Sequence, residues 1–112
     1  MRRPISCLIA AGLALVLGGC LGDGSETVEG KQVFKKARCG YCHTLADAET
    51  IGTIGPSLDV GDLSLKTVIR QVTHGGPGMP AFRDSLSAED IALVAGYVSS
   101  VGGVARRTAR VT

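Results

Sequence analysis

An all-α fold, three main helices joined by glycine-rich loops, is what this 112-residue sequence predicts. Three stretches carry apolar residues at helical spacing, the connections between them are rich in Gly and Pro, and no stretch shows the strict alternation of a half-buried strand. With 45% hydrophobic and 20% charged residues, the composition fits one small soluble domain plus whatever the ends add.

Taken in order, the first nineteen residues stand apart from that domain. Met1-Arg2-Arg3 is positively charged, residues 5–19 are apolar and small, and Leu17-Gly18-Gly19 leads into Cys20, the layout of an export signal. The apolar run is short of the roughly 20 residues that span a bilayer. Leu17-Gly18-Gly19-Cys20 also resembles the lipobox of bacterial lipoproteins. That resemblance implies removal of residues 1–19 and a diacylglycerol on Cys20, so that the mature chain is lipid-anchored to a membrane. The plainer alternative is an ordinary cleaved signal with Cys20 an incidental thiol. Residues 20–27, with two glycines, an aspartate and a serine, read as a flexible linker, 28–103 as the domain, and 104–112 as a basic, frayed tail.

Four cysteines then resolve themselves. Cys7 goes with the signal and Cys20 with the anchor, leaving Cys39 and Cys42 alone in the domain with no disulfide framework to join. Loss of Arg2 and Arg3 lowers the basic count from 12 to 10, level with the 10 acids, so nothing in the charge points to nucleic acid.

The first helical stretch, 28–38, carries Val33, Phe34 and Ala37 and runs directly into Cys39-Gly40-Tyr41-Cys42-His43. The second, 62–73, places Leu65, Val68, Ile69 and Val72 on one stripe. The third opens on Ser87 as N-cap with Asp90 three residues on, sets Ile91, Val94, Ala95 and Val98 on one face, and stops at Gly102-Gly103. Gly75 to Pro80 is expected as an extended loop. A domain of about ninety residues buries only some 60–65% of its unfolded surface and is marginal without help. This one has no Trp and four aromatics, Phe34, Tyr41, Phe82 and Tyr97. A large, flat apolar group would complete such a core, adding about 25 cal/mol per Å² of apolar surface covered.

The Cys-x-x-Cys-His cluster admits a redox dithiol, part of a zinc site, or covalent haem attachment. Residues three apart share one side of a helical turn, so Cys39 and Cys42 can each bond one of two vinyl groups on the same porphyrin edge while His43 faces the iron. A thioredoxin-like dithiol wants a βαβ setting that is missing here, and zinc wants four ligands, which Cys39, Cys42, His43 and His74 are poorly spaced to supply. Haem c with iron is therefore the expected cofactor. For a second axial ligand the candidates are Met79, in Gly75-Gly76-Pro77-Gly78-Met79-Pro80, and His74, which a solvated place at a helix C-terminus already explains. Met79 is favoured.

With these residues assembled, 28–103 resembles the class I cytochrome c family. Cys39, Cys42 and His43 follow a first helix, Gly55-Pro56-Ser57-Leu58 stands in the next loop, Met79-Pro80 lies beyond, and Val94 and Tyr97 sit on a terminal helix. The resemblance implies one covalent haem wrapped by this fold, His43 as proximal and Met79 as distal ligand, the Pro56 carbonyl accepting the other His43 ring proton, and Leu58 packing on the ring. It also implies a helix crossing of Gly30 and Phe34 against Val94 and Tyr97. Two departures stand out: Ser57 replaces the usual Asn, and there is no Trp for a haem propionate, a role open to Arg70, Arg83 or backbone donors, two arginines on solvated faces being the plainer alternative for that pair. Tyr41 is expected to face outward.

Iron held by imidazole and thioether exchanges an electron without binding a substrate, which implies an electron carrier, not an enzyme. Its expected partners are redox proteins (an oxidase, a dehydrogenase or another cytochrome) that dock briefly on a monomer in the periplasm or at the outer face of the cell membrane. The lysines at 31, 35 and 36 and the acids at 84, 89 and 90 can form local patches. Two other classes remain: a haem enzyme or gas sensor with an open iron site, and a thiol oxidoreductase using Cys39 and Cys42.

Overall fold

The computed structural model describes residues 24–103, so the signal segment with Cys7, the Cys20 junction and the tail 104–112 lie outside the described residues. Helix α1 covers 24–36, α2 Leu65–His74 and α3 Ala88–Val101. Between α1 and α2 come two short 3-10 turns, Cys39–Tyr41 and Ala46–Ala48, and a minimal antiparallel pair, β1 (Thr44–Leu45) with β2 (Thr50–Ile51). Thr44 pairs with Ile51 and Leu45 with Thr50. The sequence reading expected no strands. Two residues per strand are too few for alternation to show, and Thr50 holds the pairing, its Oγ1 accepting from Leu45 N at 3.1 Å and donating to His43 O at 2.9 Å.

Helix boundaries shifted for identifiable reasons. Residues 24–27, given to the linker on sequence, are helical. At its other end α1 stops two residues before Arg38, which adopts a left-handed conformation (φ 64°, ψ 33°), so the helix does not run into the cysteines but is broken ahead of them. α2 starts at Leu65 rather than 62 because Ser64 caps it, accepting from Thr67 N at 3.2 Å. α3 begins at the expected cap: Ser87 Oγ accepts from Asp90 N at 3.0 Å, and Gly102 closes the other end with its N–H on Val98 O at 2.7 Å.

The core lies where α1, the 44–51 hairpin and α2 meet α3. Phe34, Leu45, Val94 and Tyr97 are fully buried, joined by Val33, Val68, Val72, Ile91, Ala95 and Val98. Gly30 makes the α1–α3 crossing possible, since a Cβ there would stand 2.6 Å from Tyr97 Cβ and run into the Leu93 carbonyl. One turn on, Phe34 meets Tyr97 edge to face, ring centroids 5.9 Å apart at 68°.

Tyr97 also reaches beyond the helices. Its hydroxyl donates to Asp47 Oδ2 at 2.6 Å, and Lys31 Nζ approaches the same oxygen at 3.6 Å, so one carboxylate ties the hairpin to both α3 and α1. Burial, reinforced by the Asp47 carboxylate, raises the Tyr97 hydroxyl well above its ordinary pKa. Unfolded, this phenol loses its proton near pH 10, while the native one holds it. Its contribution to stability is thus complete below about pH 10 and declines above it, by about 1.4 kcal/mol per pH unit until the native phenol titrates too. Tyr97→Phe, which keeps the ring contact, is expected to cost about 1.5–3 kcal/mol at pH 7 and to flatten this alkaline decline. Urea unfolding at pH 7, 10 and 11 measures both.

Candidate cofactor site

The Cys39-Gly40-Tyr41-Cys42-His43 segment is held from both sides. After the Arg38 reversal it turns tightly, Cys42 N and His43 N both donating to Cys39 O at 3.2 and 3.1 Å. The returning strand closes over it: a Cβ at Gly52 would stand 2.6 Å from the carbonyl oxygens of Gly40 and Tyr41, and Gly55 N donates to Cys42 O at 2.6 Å. Glycine is needed at position 52 because backbone passes directly over backbone there.

His43 is fixed with one nitrogen committed. Its Nδ1 lies 2.8 Å from Pro56 O, and a carbonyl can only accept, so Nδ1 donates the proton of this bond and Nε2 is the ring nitrogen left uncommitted. Gly55 presses on the ring, with an added Cβ falling 2.7 Å from Cε1 and 3.0 Å from Nδ1. Gly55→Ala is expected to push the imidazole off Pro56 and to destabilise the haem-bound protein by about 2 kcal/mol, read by thermal melting with the imidazole ring-proton NMR signals as a check on the lost bond.

Beyond His43 the loop is wired to the hairpin. Leu58 N donates to Thr44 O at 2.8 Å, Thr44 Oγ1 to Gly52 O at 2.8 Å and Ala46 N to Asp59 Oδ1 at 2.9 Å. Ser57, where the family has Asn, accepts from Asp59 N at 3.2 Å and so shapes the turn after Pro56. Leu58 O accepts from Gly103 N at 2.9 Å, joining this loop to the end of α3.

Met79 sits on a reverse turn rather than the extended loop expected. Met79 N donates to Gly76 O at 2.9 Å and Gly76 N to Met79 O at 3.0 Å, around Pro77 and Gly78 (φ +81°). Pro followed by a positive-φ Gly is the pattern of a type II turn. Gly75 (φ +69°) ends α2 and could not carry a side chain, because Met79 O and Ala81 N lie 2.6 and 2.7 Å from where its Cβ would be. Phe82 N on Val72 O at 2.9 Å then returns the chain to α2. His74, the last residue of α2, is exposed, as are Arg70 and Arg83.

These pieces share an unfinished apolar surface. Cys39, Leu58, Leu63, Ile69, Met79, Phe82 and Leu86 all pack on the core yet stay only partly buried. A flat apolar group covering them would complete the interior, and the donor set of two thiols, a free imidazole Nε2 and a thioether is the one haem c uses. Zinc fits less well: among the described residues no three His, Cys, Asp or Glu side chains gather to hold a metal ion. A reactive dithiol fits poorly too, for burial, with Cys42 adding in the same sense against an opposing backbone hydrogen bond, pushes the Cys39 thiol up to about 11, away from the thiolate. Sequence reasoning missed Asp47, whose partner Tyr97 lies fifty positions away, Thr50, whose partners come with the hairpin, and the local Ser64 cap on Thr67 N, which its position three residues ahead could have signalled. It missed Gly52 and Gly55 as clamps because their neighbours are set by tertiary placement.

Comparison with known proteins agrees with this chemistry. Residues 25–98 match the family described as cytochrome C oxidase, cbb3-type, subunit III. The chain is 40% identical over 80 residues to cytochrome c6 of Aphanizomenon flos-aquae, covering 66% of this chain and 88% of that protein. It is 35% identical over 104 residues to cytochrome c6 of a Nostoc species, covering 86% and 91%. The crystal structure of the c-type cytochrome SorU from Sinorhizobium meliloti superposes with a TM-score of 0.67 at 40% identity, over 71% of this chain and 94% of that one. A histidine locked by a proline carbonyl behind a Cys-x-x-Cys turn and these relatives lead to one conclusion: the chain belongs to the class I mono-haem cytochrome c family of electron carriers, with covalently bound haem c and its iron as cofactor.

Proposed function

We propose that this chain is a lipid-tethered carrier, not an enzyme, that passes single electrons between respiratory redox proteins at the outer face of a membrane. Cys39 and Cys42 would hold the haem through two thioether bonds, and His43 and Met79 would ligate its iron. Bound there, the haem iron supplies one-electron exchange between its ferric and ferrous states.

The observation that carries this reading is the His43–Pro56 hydrogen bond, because it commits Nδ1 to the carbonyl and leaves Nε2 as the ring nitrogen available to a metal. The same bond strengthens the imidazole as a donor and holds its plane. Gly55, packed directly on the ring, keeps it from swinging. Met79 brings a soft thioether on a turn tied to α2, and with His43 and Met79 both bound the iron would have no position left for a substrate. Leu58, Leu63, Ile69 and Phe82 exclude water, which disfavours the ferric state's extra charge and raises the potential.

The oxidase-subunit family match supports a respiratory partner. Export is supported by the Met1-Arg2-Arg3 segment with its apolar run, and the tether by Leu17-Gly18-Gly19-Cys20. Among the described residues no helix is long and apolar enough to cross a membrane.

Two measurements on protein purified from a host that attaches haem test the reading. The intact mass should equal a chain starting at Cys20 plus one haem and acyl chains. The ferric spectrum should carry the weak band near the red end that methionine ligation gives, and the ferrous form should bind CO slowly or not at all. A colourless product with two titratable thiols overturns the carrier; rapid CO binding at neutral pH turns it into an open-site haem protein.

A further inference from the structure

We infer that Thr50 is a positioning residue for the iron: acting through the backbone carbonyl of His43, its hydroxyl sets how firmly the imidazole is held on Pro56 and so tunes the reduction potential. This rests on the carrier reading above and adds to it a residue, outside the cysteine-bearing motif, that adjusts the same site.

Thr50 meets the 39–43 segment with both branches of its side chain. The methyl lies over Gly40, where an added Cβ would run into it and stand 2.8 Å from Thr50 Cβ. The hydroxyl donates to His43 O at 2.9 Å and accepts from Leu45 N at 3.1 Å, so it is the middle of a chain of hydrogen bonds that polarise one another. Two reversals of the backbone make this placement. Arg38 precedes the segment and Glu49 precedes Thr50, and these are the residues other than glycine with positive φ among those described, at 64° and 59°. Ordinary side chains avoid that region, and backbone held there at both ends of one stretch points to a use for what it brings together. Here it brings Thr50 onto the cysteine-bearing turn.

His43 is thereby held at three points. Its N–H is bonded to Cys39 O at 3.1 Å, its carbonyl to the Thr50 hydroxyl, and its ring Nδ1 to Pro56 O at 2.8 Å. The first two bonds lie on the peptide groups flanking Cα, so they fix the direction in which the side chain leaves the backbone. The third depends on that direction, because a hydrogen bond weakens with distance and misalignment. Pro56 is anchored separately, by Gly55 N on Cys42 O and Leu58 N on Thr44 O. Freeing the His43 carbonyl therefore moves the ring against a fixed acceptor and lengthens the bond at Nδ1. A weaker bond there makes the imidazole a less basic donor, which favours ferrous iron and raises the potential. Simple loosening of the site acts the other way, since water reaching the interior favours the ferric charge. The sign separates the two.

Thr50→Val keeps the shape and removes the hydroxyl, whereas Thr50→Ser keeps the hydroxyl and removes the methyl. Potentiometric titration of the haem-loaded proteins should show the Val variant shifted toward the ferrous form by about threefold, a rise of about 28 mV at 59 mV per tenfold, with the Ser variant at the parent value. In ¹H–¹⁵N spectra of the ferrous proteins, the His43 ring N–H should exchange with solvent at least about tenfold faster in the Val variant and at the parent rate in the Ser variant. The long-wavelength ferric band, kept in both, verifies that Met79 is undisturbed. Should the Val variant fail to load haem, Thr50→Ala is judged by the same rise. A potential that is unchanged or lowered without the hydroxyl, or a Ser variant that shifts as the Val variant does, overturns the role of Thr50 and leaves the carrier intact. A parent protein that carries no haem, or that binds CO rapidly, instead overturns the carrier reading itself.

Discussion

Met79→Leu is expected to abolish the long-wavelength band of the ferric protein and to lower its reduction potential. Leucine nearly conserves the volume, so the packing against the core should cost less than about 1.5 kcal/mol. The turn should survive as well, because its two hydrogen bonds between Gly76 and Met79 are made by backbone. What disappears is the sulfur. A soft thioether favours ferrous iron, and each hundredfold loss of that preference is about 120 mV for a single electron. Potentiometric titration and CO binding should change together, the potential falling by on the order of 100 mV and CO association becoming fast. An intact band would remove Met79 from the iron and return attention to His74.

Gly30→Ala carries the second large effect, and its sign is the informative part. On an exposed helix alanine is about 1 kcal/mol better than glycine. Here the added methyl meets the Leu93 carbonyl and stands 2.6 Å from Tyr97 Cβ, and neither backbone nor a Cβ can rotate away. α1 and α3 must separate, loosening Phe34 from Tyr97 and straining the Asp47 contact. A net loss of about 3 kcal/mol is expected, which lowers the melting temperature of a domain this size by about 12–24 °C. Calorimetry of the haem-loaded protein decides it; a rise in melting temperature would mean that the helices do not cross at Gly30.

Much of this was legible in the sequence because it rests on local chemistry. Ser87 announces a cap, the stripe of Val68 and Val72 announces a buried face, and Cys39, Cys42 and His43 announce haem once the missing βαβ setting and the missing fourth zinc ligand are set beside their spacing. The Pro56 acceptor and the Gly30 crossing came only through family resemblance, since no spacing rule links residues 43 and 56 or 30 and 97. Arg38 was illegible for another reason: a left-handed arginine has no sequence signature, and the left-handed region costs an ordinary residue roughly 1–2 kcal/mol unless its surroundings impose it. Gly76-Pro77-Gly78-Met79, by contrast, contained its type II turn in plain view, and reading it as extended overlooked the positive φ that a glycine after proline allows.

Asp47 meets Tyr97 across fifty positions of chain, so the knot that fastens the hairpin cannot be tied until residue 97 has emerged. Cys39 and Cys42, only a few residues before Asp47, are delivered early into a chain that cannot yet shut over them. Time to acquire the porphyrin is thereby built into the order in which the residues appear. Pulse-labelled chains should take on haem before they gain resistance to protease.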